Sequence, residues 1–184
     1  VPALPPCYRR IMDGDMLDIG GRAWRCISGY GHAPEHMALY SEELGVLLSG
    51  DMVLPRISTN VSVHASEPEG NPLRLFLTSL QRYLELPTET LVLPSHGKPF
   101  TGLAARIAQL ERHHQDRLAD ILQAAQLRSL SAADILPILF QRTLDTHQMT
   151  FAMGEALAHL HYLWFTGELE RVSGADGVLQ FKAY

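Results

Sequence analysis

The sequence predicts a layered α/β unit that is followed by a helical region ending in a β-hairpin. Short apolar stretches separated by glycine-containing or polar turns fill much of the first hundred residues, as expected of strands. An amphipathic helix interrupts them, and strands with a covering helix form a layered α/β arrangement. After Phe100 the apolar residues recur at helical spacing instead. We therefore expect two domains, residues 1–100 and residues 101–184.

The strands of the first domain are short and paired. "DMLDIGGRAWRCISGYGH" predicts two strands around the Gly20-Gly21 turn. "HMALYSEELGVLLSGD" repeats the pattern, with strands near 38–40 and 46–48 on either side of a polar turn. A further buried strand is expected at 90–93, directly before "PSHG".

The helix of the first domain has clear boundaries. Asn71 suits the N-cap, Pro72 suits the first helical position, and Pro87 ends the segment. One face of this helix is apolar and should pack on the sheet; it carries Leu73, Phe76, Leu77, Leu80 and Leu84.

Three helices and a hairpin are expected in the second domain. The first spans about 101–127, the second starts at a capping-box-like Ser131, and the third is capped by Asp145 or Thr146 and ends near Gly167. The third helix should bury a stripe made of Met149, Met153, Ala156, Leu157, Leu160, Leu163 and Trp164. "ELERV", a "SGADG" turn and "VLQFKAY" then form the hairpin. This outline is typical of a winged helix.

Composition excludes several classes of protein. No apolar run approaches the roughly 18 residues of a membrane span, and a net charge of −5 argues against a surface devoted to nucleic acid. Cys7 and Cys26 form no C-x-x-C motif, and we expect two free thiols in a reducing cytoplasm. The start "VPALPPCYRR" resembles a proline-rich linker rather than a signal peptide, so we expect a truncated piece of a longer protein.

Candidate metal ligands share one setting in the sequence. His36, Asp51 and His96 each lie at or just beyond the end of a predicted apolar strand, and strand ends can converge at one edge of a sheet. Imidazole nitrogen and carboxylate oxygen are ligands that zinc, iron and manganese accept. Spacing alone is a moderate signal, since a single loop histidine is more often a solvated or capping residue.

"GHAPEH", then "SGD", then "LPSHG" resemble the C-terminal half of the metallo-β-lactamase-fold hydrolases. That family includes the hydroxyacylglutathione hydrolases and an endoribonuclease-like branch with a winged-helix-like C-terminal region. The resemblance implies that residues 12–100 form the second half of an αββα sandwich and that residues 101–184 form the appended helical region.

The resemblance also implies residue roles. His36 would bind the first of two divalent metal ions, Asp51 would bridge both and serve catalysis, and His96 would bind the second. Zinc is the first choice of metal, with iron and manganese as alternatives. A metal-bridging hydroxide would hydrolyse a thioester, ester or phosphodiester. A small-molecule ester or thioester is the favoured substrate, and RNA is less favoured.

One family feature is missing. The defining H-x-H-x-D-H motif has no counterpart upstream of His32, and the only H-x-H is His159-Leu160-His161, inside a predicted helix where the two rings point apart. We interpret that pair as a packing or surface feature. The chain therefore has fewer than half of the expected ligands, and alone it should bind metal weakly or not at all and be inactive.

Four further residues are candidates for substrate binding or for support of the ligands: His32, Glu35, His64 and Lys98. His32 and Glu35 could hydrogen-bond a ligand ring, although a turn residue and a solvated carboxylate are the simpler interpretations. His64 lies in the long loop "RISTNVSVHASEPEGN", whose length favours a function at the substrate entrance. Lys98 could meet an anionic substrate or be an ordinary surface lysine.

Two other functions remain open. The helical region could be a nucleic-acid-binding module, but its basic residues Arg106, Arg112, Arg117 and Arg128 alternate with Glu111, Asp116 and Asp120. It could also serve dimerisation. Half of a two-layer sandwich exposes apolar sheet surface, so we expect a homo-oligomer or association with a separate N-terminal segment.

Overall fold

The computed structural model describes residues 5–174 and 176–184. Part of the proline-rich segment predicted as a linker, residues 1–4, lies outside the described residues, as does residue 175 in the predicted "SGADG" turn. Residues 5–10 are exposed. No helix in these described ranges is long and apolar enough to cross a membrane.

A five-stranded sheet forms the first half of the chain. Its strands follow one another in space in the order of the sequence: β1 (Met16–Ile19), β2 (Arg22–Gly29), β3 (His36–Ser41), β4 (Val46–Gly50) and β5 (Leu91–Pro94). Neighbours are antiparallel except β4 and β5, which are parallel. Both predicted hairpins are confirmed. Gly20 and Gly21 turn the first one with φ of 64° and 76°, a left-handed pair that glycine adopts without steric cost.

Helix α1 (Pro72–Gln81) covers the sheet as predicted. The Asn71 side chain caps it by accepting from the backbone N–H of Arg74 at 3.2 Å. A 3₁₀ turn (Arg82–Glu85) continues the helix, and its tighter winding shifts later side chains off the buried face. Leu84, predicted on that face, is therefore 44% exposed, whereas Phe76 is fully buried.

The second half contains the predicted three helices and hairpin: α2 (Leu103–Ala125), α3 (Ala132–Leu139), α4 (Thr146–Phe165), β6 (Leu169–Ser173) and β7 (Leu179–Ala183). Capping boxes start α3 at Ser131 and α4 at Asp145. In each, the N-cap side chain accepts from the N3 backbone N–H, and the N3 side chain accepts from the N-cap backbone N–H. Pro137 does not stop α3, which continues to Leu139. The winged-helix arrangement of these elements stays a prediction.

The buried surface of α4 differs from the predicted stripe. Met149 is 38% exposed, while the small residues Ala152, Gly154 and Ala158 are buried together with both histidines of the H-x-H. Because short side chains let neighbouring segments approach closely, α4 buries more than one face. Both histidines of the H-x-H thus lie in the protein interior, not at the surface.

One connected set of buried residues runs from the sheet through all four helices to β7. Tyr40, Leu47 and Val92 lie side by side across β3, β4 and β5 and belong to this core. The adjacent row on the opposite face of the sheet is Leu39, Leu48 and Leu93, which are only partly buried and lie outside the core. The division into domains at residue 100 stays a prediction.

Candidate metal centre

One edge of the sheet collects the candidate ligands. Asp51 follows β4 directly and His96 lies just beyond β5. Because these two strands are parallel, their ends lie at the same edge. His36 was predicted to lie beyond the end of an apolar strand, but it is the first residue of β3. It reaches the same edge, since β3 runs antiparallel to β4. His32 lies in the turn before it.

The Asp51 carboxylate stands between two imidazole rings. Nε2 of His32 lies 3.6 Å from Oδ2, and Nε2 of His96 lies 3.5 Å from Oδ1. The side chains of His32 and Asp51 are each 29% exposed, whereas that of His96 is 68% exposed. One carboxylate therefore meets a histidine on each of its two oxygens, at the boundary with solvent.

His36 has a different position. Its Nε2 accepts a hydrogen bond from the backbone N–H of Asp51 at 3.2 Å, so the ring lies behind the aspartate. Burial lowers the pKa of His36, and the charge of nearby His32 lowers it further. In this geometry the accepting nitrogen is bonded to the protein backbone, and the ligand role of His36 stays a prediction. The structure instead brings His32, predicted as a supporting residue, to the carboxylate.

The ring of His32 is held in one tautomer. Its Nδ1 lies 2.8 Å from the backbone carbonyl oxygen of Asn60. A carbonyl oxygen only accepts, so Nδ1 carries the proton and the Nε2 lone pair of the neutral ring points toward Asp51. That lone pair faces a carboxylate, which is unfavourable unless a proton or a metal ion lies between them.

His32, Asp51 and His96 have donor atoms that suit a divalent metal, but they supply only part of its coordination geometry. Asp51 Oδ1 is buried and has no hydrogen-bond partner among the residues described, which leaves it available to a cation. Within 5–174 and 176–184, however, no group of three or more His, Cys, Asp or Glu side chains is close enough to hold a metal ion. The chain thus has part of a coordination shell.

The remaining predicted site residues lie in three places. Glu35 pairs with Arg10 at 3.1 Å and contacts no ligand ring in that pairing. His64 and His32 line a cavity of about 300 Å³ between the turn before β3 and the start of α1. Lys98 and His96 line a separate cavity of about 600 Å³. Both cavities border a candidate ligand, and both volumes fall in or near the range of small-molecule sites.

Two residues that the sequence did not indicate also contact the centre. The Thr59 hydroxyl donates to the backbone carbonyl of Asp51, and Asn60 accepts from His32. Neither residue belongs to a motif, and their segment is irregular. Only the three-dimensional fold shows that residues 59 and 60 return to the sheet edge.

The arginines of the helical region are largely engaged within the protein. Arg106 donates to the backbone carbonyls of Leu54 and Ile57, at 2.6 and 2.9 Å. Arg128 pairs with Asp134 at 3.0 Å. These contacts do not favour a basic stripe for nucleic acid.

Comparison with known families agrees with this arrangement. Residues 5–96 match the family model described as "Metallo-beta-lactamase superfamily", and residues 118–184 match "Metallo-beta-lactamase-like, C-terminal domain". The chain belongs to the metallo-beta-lactamase superfamily. The first match contains His32, Asp51 and His96, and the second contains α3, α4 and the terminal hairpin.

Individual relatives of this superfamily member are known. A crystal structure of a beta-lactamase domain protein from Burkholderia ambifaria is 60% identical, with a TM-score of 0.96 over 99% of this chain and 54% of its own. "Probable metallo-hydrolase YqjP" of Bacillus subtilis is 28% identical over 84% of this chain and 49% of its own. A hydroxyacylglutathione hydrolase of Rhodobacter capsulatus is 30% identical over 73% and 49%. The chain therefore spans about half the length of the relatives it matches.

Proposed function

We propose that this chain is the C-terminal part of a metal-dependent hydrolase and that His32, Asp51 and His96 are its metal ligands. The observation that carries the proposal is the Asp51 carboxylate, whose two oxygens face the Nε2 atoms of two histidines at 3.6 and 3.5 Å. The hydrolase names of two superfamily relatives support the type of reaction.

Each ligand has a definable task. His32 presents a lone pair, because the Asn60 carbonyl holds the proton on its other nitrogen. Asp51 contributes negative charge and a buried oxygen that has no hydrogen-bond partner among the described residues, and His96 approaches from the solvent side. His36 orients Asp51 by accepting its backbone N–H. A divalent ion bound here would supply Lewis acidity and an acidified water.

We expect the substrate to be a thioester, an ester or a phosphodiester, and we favour a small-molecule ester or thioester. The two cavities beside His32 and His96 give room for groups on either side of a scissile bond. We expect the remaining ligands to come from a segment outside this chain, so the isolated chain should bind metal weakly and show negligible hydrolysis. Zinc, iron and manganese all suit imidazole and carboxylate ligands.

Metal content per chain, measured by plasma mass spectrometry in chelator-free neutral buffer, tests the proposal. The measurement is made on this chain and on a longer protein that contains it, each with an Asp51→Asn control. We expect near-zero metal in the chain and about two ions in the longer protein, together with thioester hydrolysis that Asp51→Asn removes. A longer protein that binds no metal after incubation with zinc, iron or manganese would overturn the assignment.

A further inference from the structure

A short segment between β4 and α1, residues 58–60, contacts two of the proposed ligands, Asp51 and His32. The Thr59 hydroxyl donates to the backbone carbonyl of Asp51. The next residue, Asn60, accepts through its carbonyl from Nδ1 of His32 at 2.8 Å. The segment belongs to no helix or strand, so backbone pairing does not fix its position. Its contacts with the rest of the protein must do so.

The preceding residue, Ser58, connects this segment to the helical region. Its hydroxyl lies 3.2 Å from Nε2 of His114 in α2. His114 Nδ1 lies 3.2 Å from Nε2 of His159 in α4, and His159 Nδ1 lies 2.8 Å from the Glu155 carbonyl. Both histidines are fully buried. Four groups thus form one continuous hydrogen-bond chain from the site segment into the helices.

The donor and acceptor roles along this hydrogen-bond chain follow from its last member, the Glu155 carbonyl. The Glu155 carbonyl only accepts, so His159 Nδ1 carries a proton. Burial lowers the pKa of His159 to about 4, so the ring is neutral at pH 7 and its Nε2 must accept. His114 Nδ1 therefore donates to it. Burial likewise lowers the pKa of His114 to about 3, which leaves its Nε2 as an acceptor for the Ser58 hydroxyl.

In the described part of the protein, the Ser58 hydroxyl has one other acceptor in reach, the Thr59 carbonyl at 3.3 Å. If its proton pointed there, the buried Nε2 of His114 would lose its donor, which costs free energy. Ser58 to His114 is therefore the favoured bond. A base with a pKa of about 3 is too weak to activate a serine at neutral pH. The chain is thus a positioning device rather than a catalytic triad.

Other bonds hold the same segment against the same helices. Arg106 of α2 donates to the Leu54 and Ile57 carbonyls. On the other side of the segment, the backbone N–H of Val63 donates to the Gly154 carbonyl of α4 at 3.1 Å. Gly154 is required for this approach, because a Cβ there would lie 2.7 Å from Cβ of Ser62.

We propose that the chain Ser58–His114–His159 positions the segment 58–60 so that Asn60 holds His32 with its proton on Nδ1 and its Nε2 toward Asp51. Ser58, His114 and His159 are positioning residues, and the helical region thereby supports a ligand on the sheet. The effect on metal affinity rests on the proposed function, whereas the effect on the His32 ring does not.

The test is the ring-nitrogen NMR spectrum of His32 in ¹⁵N-labelled protein, at a pH where its imidazole is neutral. It compares wild type with Ser58→Ala, which removes one hydroxyl, and with His114→Phe, which keeps ring volume and removes both nitrogens. His161→Phe is the matched control, because His161 is also buried in α4 but bonds the Gly70 carbonyl instead. We expect the Nδ1–H tautomer in wild type and control, and a mixture of both tautomers in the two variants.

Zinc titration of the same four sequences, each within a longer protein that contains this chain, gives the second readout. We expect about tenfold weaker binding in His114→Phe, the lower end of the range for residues behind a metal ligand, and a smaller loss in Ser58→Ala. No zinc binding by any of the four longer proteins, with the tautomer change present, would remove the proposed function and leave the positioning role supported. An unchanged His32 spectrum and unchanged zinc affinity in both variants would overturn the positioning role.

Discussion

The backbone N–H of Asp51 donates to Nε2 of His36 at 3.2 Å, so this histidine supports the aspartate from behind the candidate centre. The same aspartate meets Nε2 of His32 through its side chain. Two histidines of one "GHAPEH" turn therefore have different roles toward one residue. His32 faces the carboxylate and His36 faces the backbone.

This difference predicts opposite outcomes for two matched substitutions. In His36→Gln the amide oxygen can still accept the Asp51 N–H, so zinc affinity should fall by less than about tenfold. In His32→Gln the ring nitrogen is lost and zinc binding should become undetectable. Zinc titration of both variants in a longer protein containing this chain is the measurement. Equal losses, or a larger loss in His36→Gln, would show that His36 is the ligand.

Gly50 is required where β4 meets Asp51. Its φ is 53°, and a Cβ at this position would overlap Nε2 of His36. Gly45 has a similar φ of 61°, but no described atom lies within 4 Å of a Cβ built there, so it is a control for backbone strain alone. Gly45→Ala should lower the free energy of unfolding by about 1 kcal/mol. Gly50→Ala should lower it by about 1–3 kcal/mol more.

Urea denaturation of the two alanine variants measures this difference. Similar losses in both would mean that His36 moves aside at no cost and that its bond to Asp51 is weak. A larger loss in Gly50→Ala, together with a changed His36 ring spectrum, is the expected result.

Local sequence signals predicted the elements better than they predicted the site. The Gly20-Gly21 turn and the Asn71 cap depend on neighbouring residues only, and both are found. Which histidine of "GHAPEH" faces Asp51 depends instead on how β3 is aligned with β4, and that alignment is not local. The contact between Asn60 and His32 joins residues 28 positions apart and belongs to no motif, so local signals do not predict it.

Glu155 predicts a pH dependence of stability. Burial raises its pKa to about 7 from 4.5, although hydrogen bonding to Asn60 and the charge of Arg117 lower it. A carboxyl whose folded-state pKa is raised binds its proton more tightly when folded, so its contribution is full below about 4.5 and is lost as the pH rises to about 7. Above that pH the folded state carries a penalty of about 3 kcal/mol.

Glu155→Gln should remove this dependence, because glutamine keeps the shape and does not ionise. The difference in free energy of unfolding between variant and wild type should rise in favour of the variant from pH 4.5 to pH 7 and then stay constant. Denaturation curves at four or five pH values give this difference directly. Parallel pH profiles for the two proteins would contradict the raised pKa.

The uncovered face of the sheet leads to the last prediction. Leu39, Leu48 and Leu93 form a continuous row there, partly exposed, while the opposite row is buried under the helices. Exposed apolar rows of this kind favour association. We expect the isolated chain to sediment as a dimer or to retain an additional polypeptide. Leu48→Lys should make it monomeric, because a charge in the middle of the row opposes burial.

Leu44→Lys is the matched control, since Leu44 is 42% exposed in the turn between β3 and β4 and lies outside the row. It should leave the sedimentation coefficient unchanged. A wild-type chain that sediments as a monomer with no bound polypeptide would mean that the row tolerates solvent by itself. If both lysine variants dissociate the dimer, the contact surface includes the turn and extends past the sheet face.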